Sequence, residues 1–150
     1  MEQKRLSTDD LNTLLNKESG LKGLCHENDL RTIISRSERG DDQAQLALEI
    51  FTYRIKKYIG AYIAVLGRVD AIVFTGGIGE HAPLIREMVT EGLDEAFGIY
   101  LDKTKNQGLE PTDIHQQQSR IQLHVVATNE ELQIALEVAK VTQNSKETIK

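Results

Sequence analysis

Two short runs hold the residue types that could do chemistry, Thr75-Gly-Gly-Ile-Gly-Glu80 and Ala127-Thr-Asn-Glu-Glu131. In the first, the glycines at 76, 77 and 79 remove Cβ atoms, so backbone N–H groups can approach a phosphate-bearing ligand. The run follows an apolar strand and opens a helix, whose N-terminus favours negative charge. A tight turn needing positive φ would use the same glycines without binding anything. In the second run, Thr128-x-x-Glu131 reads as a capping box, which accounts for Glu131 and leaves Glu130 over. Both runs sit at the carboxyl end of a strand, where open α/β sheets bind ligands.

The glycine run is not a P-loop, because no Gly-Lys-Ser/Thr follows it. It does fit the dinucleotide fingerprint as Gly77-x-Gly79-x-x-Ala82, with Asp102 about twenty residues beyond as a ribose-binding acid. Against that alternative, Glu80 would place a carboxylate beside the pyrophosphate, and only one clear further strand follows. Elsewhere the chemistry is sparse. His26 and His115 fall in polar loops and His124 in a strand, and no pair has the i, i+4 spacing of a helical metal site. Cys25 beside His26 has no third group to orient a base and reads as packing.

The elements that must position these runs follow from periodicity and caps. Ser7 or Thr8 caps a helix striped by Leu11, Leu14 and Leu15, and Ser19-Gly20 ends it. Leu21 to Glu27 reads as a loop. Asn28 or Asp29 then caps a brief helix carrying Leu30, Ile33 and Ile34, closed by Arg39-Gly40. From Asp41 to Leu66 apolar residues recur at helical spacing through Ala47, Phe51, Ile55, Tyr58, Ile59, Tyr62 and Leu66, so those aromatics read as core or subunit interface. Asp70 to Thr75 is a strand buried on both faces. Pro83 starts a helix that reaches about Phe97 with a break at Glu91-Gly92, and Gly98 to Leu101 reads as a short strand. Thr104 to Ser119 is an exposed polar loop, Ile121 to Val126 a second strand, and Asn129 to Val141 the last helix. The order is ααα-β-α-β-α, one domain without repeats.

Composition limits the function classes. The 150 residues carry 18 Lys+Arg against 23 Asp+Glu, a net charge of −5, and no basic stripe of the kind that grips nucleic acid. Hydrophobic residues make up 39% and 11 glycines add to them, the balance of a globular domain of about this size with a core of its own. One cysteine, no apolar run approaching ~18 residues and no leader at Met1 point to the cytoplasm, with no membrane partner.

Four segments in order resemble acetate kinase: Leu14-Leu-Asn-Lys-Glu-Ser-Gly-Leu21, Tyr53-Arg-Ile-Lys-Lys-Tyr-Ile-Gly-Ala-Tyr62, Asp70-Ala-Ile-Val-Phe-Thr-Gly-Gly-Ile-Gly-Glu80 and Ala127-Thr-Asn-Glu-Glu-Leu132. The resemblance runs from about Leu6 to Ala139 and is read as the C-terminal portion only of a longer enzyme. It implies an α/β chain forming part of the second domain of the actin-like ATPase, sugar kinase and Hsp70 (ribonuclease H-like) fold, helix-rich with an incomplete sheet. Residues 1–142 would be the nucleotide-binding portion and 143–150 a disordered tail.

The resemblance also assigns residues. Gly77, Ile78, Gly79, Glu80 and His81 match the family's nucleotide-binding segment, with His81 where Asn is usual. Asp29, Leu30 and Arg31 resemble the segment that approaches adenosine, with Asn28 in place of Ser. Glu130 matches the magnesium-associated glutamate. The cofactors implied are ATP/ADP and Mg²⁺, and the reaction is reversible phosphoryl transfer to acetate or another short-chain carboxylate. The family's phosphate segment, two arginines, histidine and aspartate have no counterpart here, so no catalytic residue is assigned and negligible activity is expected of the chain alone. A homodimer is implied. The alternatives left open are a non-catalytic dimerisation remnant and the dinucleotide-binding module.

Overall fold

The structure is a computed structural model that describes residues 6–108 and 112–147. Of the segments read above, parts of the N-terminal stretch, the polar loop and the tail lie outside them, at residues 1–5, 109–111 and 148–150.

Helix α1 (Thr8–Lys17) begins with a reciprocal box in which Ser7 accepts from the Asp10 amide and Asp10 accepts from the Ser7 amide. No α1 residue is buried. Where the sequence predicts a loop, Leu21–Cys25 forms the short helix α2, closed by His26 at φ 61. Gly23 and the five-residue length hide it from a periodicity argument, and Cys25 fixes it by burying completely. The Cys25 Sγ donates to the Leu21 carbonyl at 3.3 Å, the packing role expected of it.

Asp29 caps α3 (Leu30–Glu38) and Asp41 caps α4 (Asp42–Leu66), each by accepting first-turn amides. Between them Arg36 bonds Asp41 and the Cys25 carbonyl, joining α2, α3 and α4 at one corner. Ala44, Ala47 and Leu48 of α4 pack with Cys25, Leu30, Ile33, Ile85 and Val89 in the first of two cores. Tyr58 and Tyr62, read as core or subunit interface, and Leu66 of the same stripe are more than half exposed and so lie outside the chain's own core. A straight helix drifts relative to a seven-residue repeat, so over 25 residues the buried line moves to Ile55, Ile59 and Ile63.

Strand β1 (Ala71–Phe74) pairs in parallel with β2 (Gln122–Val125), with Ala71 opposite Gln122 and Phe74 opposite Val125. These are the only named strands among the described residues. Leu123 and Val125 are buried with Leu93, Ile99, Ile114 and Ile121 in the second core, and Phe74 and Ile59 touch both cores. The opposite face of β1 is open: Val73 is 52% exposed, so β1 is not covered on both sides as its apolar run predicts.

Helix α5 (Gly76–His81) comprises the glycine run itself, followed by α6 (Pro83–Thr90) with Pro83 at its start. The expected break at Glu91-Gly92 separates α6 from α7 (Leu93–Phe97). In place of the Gly98–Leu101 strand only an isolated antiparallel bridge, Leu101 with His115, forms. A turn of helix, α8 (Lys103–Asn106), interrupts the polar loop. The last helix, α9, runs Glu130–Glu147, through most of the stretch read as a tail. Every side chain from Glu131 to Thr142 is exposed.

Candidate functional site

The Asp29 N-cap and the glycine run are far apart in sequence and adjacent in space. Asn28, Asp29, Leu30, Arg31 and Ile34 face Gly77, Ile78, His81 and Ala82 across a cleft of 550 Å³. That volume lies within the roughly 300–1,000 Å³ usual for small-molecule sites. Leu30, Ile34 and Ile78 give the cleft an apolar floor, and Ile78 keeps 43% exposure there. Asn28, Asp29, Arg31 and His81 make the rim. His81 also lines a neighbouring 450 Å³ depression with Arg31, Ser35 and Glu38.

At the rim, Arg31 forks onto Asp29, Nη2 to Oδ2 at 2.7 Å and Nε to Oδ1 at 3.1 Å. The Arg31 side chain and its backbone N–H hold the Asp29 carboxyl down to about 2. Asp29 thus stays ionised as the cap of α3 and keeps the guanidinium plane at the cleft mouth. Nothing lies within 4 Å of where a Gly77 Cβ would stand, so its backbone is open to a ligand. Gly76 adopts φ +69, the left-handed turn out of β1. At Gly79 a Cβ would meet the Phe74 carbonyl carbon at 3.0 Å, so this glycine lets α5 lie against the end of the strand.

Two residues that shape the turn are absent from the sequence reading. Arg86 of α6 is 1% exposed, and its Nη1 donates to the carbonyls of Gly79 at 2.7 Å and Glu80 at 2.8 Å. Its Nε and Nη2 donate to the Asn106 side-chain and main-chain oxygens, both at 2.7 Å. Asn106, fully buried, donates in turn to the Pro83 carbonyl. Burial pulls the Arg86 pKa below the ordinary guanidinium value, while the carbonyls at the end of α5 supply the compensating negative ends of dipoles. The signal was available: Arg86 falls with Ile85 and Val89 on the buried stripe of α6, where a charged residue requires partners.

Glu80 is not among the residues that line the cleft. Its Oε1 accepts from the Thr128 amide at 2.9 Å and the Thr128 hydroxyl at 2.8 Å. The amide and then the hydroxyl hold the Glu80 carboxyl below the usual carboxylate range. Thr128 is therefore not the cap that Thr128-x-x-Glu131 predicts; Asn129 accepts the Leu132 amide instead, at 2.9 Å, and Glu130 opens α9.

Asp102 is spent capping α8, accepting from the Thr104 and Lys105 amides, and lies outside any named strand. The dinucleotide fingerprint thus lacks the strand end that would carry its acid. His115 and His124 meet edge to face with ring centres 5.6 Å apart. Among the described residues no group of three His, Cys, Asp or Glu is arranged to hold a metal ion.

Helices around a small parallel sheet, with the segment that follows β1 lining the cleft, place the chain in the α/β class. The model of the Acetokinase family matches residues 1–136. The acetate kinase of Sulfurovum sp. (strain NBC37-1) is 54% identical over 132 residues, 87% of this chain and 33% of that protein. The acetate kinase of Helicobacter acinonychis (strain Sheeba) is 50% identical over 91% of this chain and 34% of its own length. Among solved structures, the Porphyromonas gingivalis acetate kinase has a TM-score of 0.81 at 38% identity over 91% of this chain and 35% of that one. A propionate kinase from Francisella tularensis subsp. tularensis SCHU S4 has a TM-score of 0.79 at 41% identity, over 87% of this chain and 33% of that one.

The chain therefore belongs to the acetokinase family and has its helix-rich architecture with a small, incomplete sheet. It spans about a third of the length of the curated relatives it matches. The expectation that the likeness is to a C-terminal portion only, from about Leu6, is corrected by these alignments. The family model begins at residue 1, and relatives align with 87% to 97% of this chain. Motif reading understated the extent because it weighs four distinctive segments and passes over the apolar and charged choices between them, which carry similarity without chemistry.

Proposed function

We propose that this chain supplies the nucleotide side of an ATP:acetate phosphotransferase that reversibly makes acetyl phosphate and ADP, as part of the second domain of the actin-like fold. One observation carries the reading: the cleft joins the Asp29-Leu30-Arg31 segment to Gly77, Ile78 and His81. The apolar floor suits the face of an adenine base, the Asp29–Arg31 rim suits its polar edge and ribose, and the open Gly77 backbone suits the approach of phosphates. Gly79 sets the depth of the turn, and Glu80 belongs to the same segment through its backbone.

Glu130, opening α9, is the residue we assign to Mg²⁺, a hard cation that keeps several waters and takes one or two carboxylates beside nucleotide phosphates. When bound, that ion would neutralise charge on the phosphates during transfer. The chain's own contribution is positioning, which supplies much of the catalysis in phosphoryl transfer. The acceptor, acetate or another short-chain carboxylate such as propionate, would meet residues outside this chain. We ascribe homodimer formation to the exposed face of α4, where Tyr58 and Tyr62 stack with ring centres 6.3 Å apart. The lone cysteine, free and buried, suits a reducing compartment such as the cytoplasm. No helix among the described residues is long and apolar enough to cross a membrane.

Thermal melting with Mg-ATP tests the site, with NADH as control. Ligand at about 100 times its Kd adds about 2.7 kcal/mol, which for a domain of this size raises Tm by roughly 5–10 °C. The rise is expected with Mg-ATP alone and is lost in Ile78→Asp, which puts a carboxylate on the cleft floor. Equal stabilisation by NADH, or an unchanged response in Ile78→Asp, overturns the assignment.

A further inference from the structure

The two loops that leave the paired strands are tied to each other by side chains. Thr75 Oγ1 donates to the Val126 carbonyl at 2.9 Å, and one oxygen of Glu80 takes both donors of Thr128. Glu80 is itself fixed at its other end, since its carbonyl accepts from the buried Arg86 guanidinium. A continuous set of bonds therefore runs from α6, through the end of α5, to the residue before the α9 cap. Along α9 the side chains from Glu131 to Thr142 are exposed.

From this geometry we infer that Glu80 is a positioning residue, whose carboxylate fixes the first turn of α9, and with it Glu130, relative to the nucleotide cleft. The inference rests on the proposed nucleotide site and extends it. It separates two roles within one segment: Gly77, Ile78 and His81 face the cleft, while Glu80 sets where the metal-associated end of the site stands. A charged hydrogen bond to a backbone amide resists displacement better than a neutral one, which suits a loop with no packed side chains behind it.

The consequence is a split between two affinities. Thr128→Val removes one of the two tethering bonds at a residue that does not line the cleft, so metal-free ATP binding in EDTA stays within about two-fold, while the gain in affinity on adding Mg²⁺ falls roughly ten-fold or more, the factor one charged hydrogen bond carries. Calorimetric titration of the full chain with ATP in Mg²⁺ and in EDTA reads both, for Thr128→Val and the conservative Thr128→Ser. Thr128→Ser keeps the hydroxyl and is expected to behave as the parent. An equal loss in both arms would mean that Glu80 acts on the nucleotide directly or only holds the turn together, and either overturns the inference.

Hydrogen exchange on the ligand-free chain decides the tether independently of any nucleotide. Amides of residues 127–132 are expected to exchange roughly ten-fold faster in Glu80→Ala, with amides of α3 and α4 unchanged. Unchanged exchange at 127–132 overturns the positioning role. If the parent chain binds no ATP in either buffer, the nucleotide reading of the cleft fails, while exchange still reports whether Glu80 positions α9.

Discussion

Replacing Arg86 by Met removes every donor from the buried junction and keeps most of the side-chain volume. Four acceptors lose their partner: the carbonyls of Gly79 and Glu80 in partly buried bonds, and the two oxygens of Asn106 in fully buried ones. The first two can turn to water. The Asn106 oxygens cannot, and an unsatisfied buried acceptor costs about 1–3 kcal/mol each, giving about 4 kcal/mol for the pair. With a urea m-value near 2 kcal/mol/M, Arg86→Met lowers the unfolding midpoint by about 2 M. The reciprocal change, Asn106→Leu, costs less, about 1–3 kcal/mol, because it removes only the Oδ1 acceptor of Nε and the donor to the Pro83 carbonyl, while Nη1 and Nη2 keep their main-chain acceptors. The double variant is then less destabilised than the sum of the two, since both lose the same Nε–Oδ1 bond. Urea unfolding followed by circular dichroism measures all three. A shift in Arg86→Met below about 0.3 M, or strict additivity in the double variant, refutes the argument that these bonds hold the α5–α6–α8 junction together.

Gly79→Ala sets a Cβ 3.0 Å from the Phe74 carbonyl carbon and 3.3 Å from its Cα, backbone that cannot rotate away. A loss of about 1–3 kcal/mol is expected in urea unfolding, with weakened Mg-ATP binding; Gly77→Ala, which meets nothing within 4 Å, should leave stability nearly unchanged while affecting binding. Leu48→Ala empties the middle of the first core, where Leu48 is fully buried, and is expected to cost about 2–5 kcal/mol in the same experiment. For Asp29 the folded pKa, about 2, lies below the ordinary aspartate value of 3.8, so its contribution is complete above pH 3.8 and is lost as pH falls toward 2. Midpoints of Asp29→Ala and the parent should differ at pH 7 and converge by about pH 2; a constant difference across that range would show that the carboxylate charge is not what caps α3.

What the sequence made legible was whatever depends on local pattern. The caps at Ser7 and Asp29, each one of two neighbouring candidates, the long helix, the strand before the glycines and the break at Glu91-Gly92 all follow from near neighbours along the chain. The glycine run was placed correctly at the junction yet read as a turn that opens a helix and not as a helix itself, because glycine is a poor helix former; α5 exists because Gly79 fits against Phe74 and Arg86 holds its last carbonyls. Thr128 shows the same limit. Its spacing to Glu131 satisfies a capping pattern, and a carboxylate 48 positions away takes its amide and hydroxyl instead. Arg86 and Asn106 were missed because their partnership spans 20 positions and ends in a segment whose composition reads as exposed.

The two ends of the candidate site are therefore supported in different ways. The cleft is built from Leu30, Ile34 and Ala82, which pack on a core that includes Ile33, Leu48 and Val89, so its shape is set by burial and changes only when the core does. The start of α9 depends on hydrogen bonds from Glu80, Thr75 and Asn129, with no buried side chain between Glu131 and Thr142 behind them. Apolar packing holds over a wide range of pH, whereas the Glu80 bonds weaken as the carboxyl is protonated on acidification below the ordinary carboxylate range. Stability and metal-dependent binding should accordingly separate: core substitutions shift the unfolding midpoint, and changes at Glu80 or Thr128 shift the response to Mg²⁺ at nearly constant midpoint.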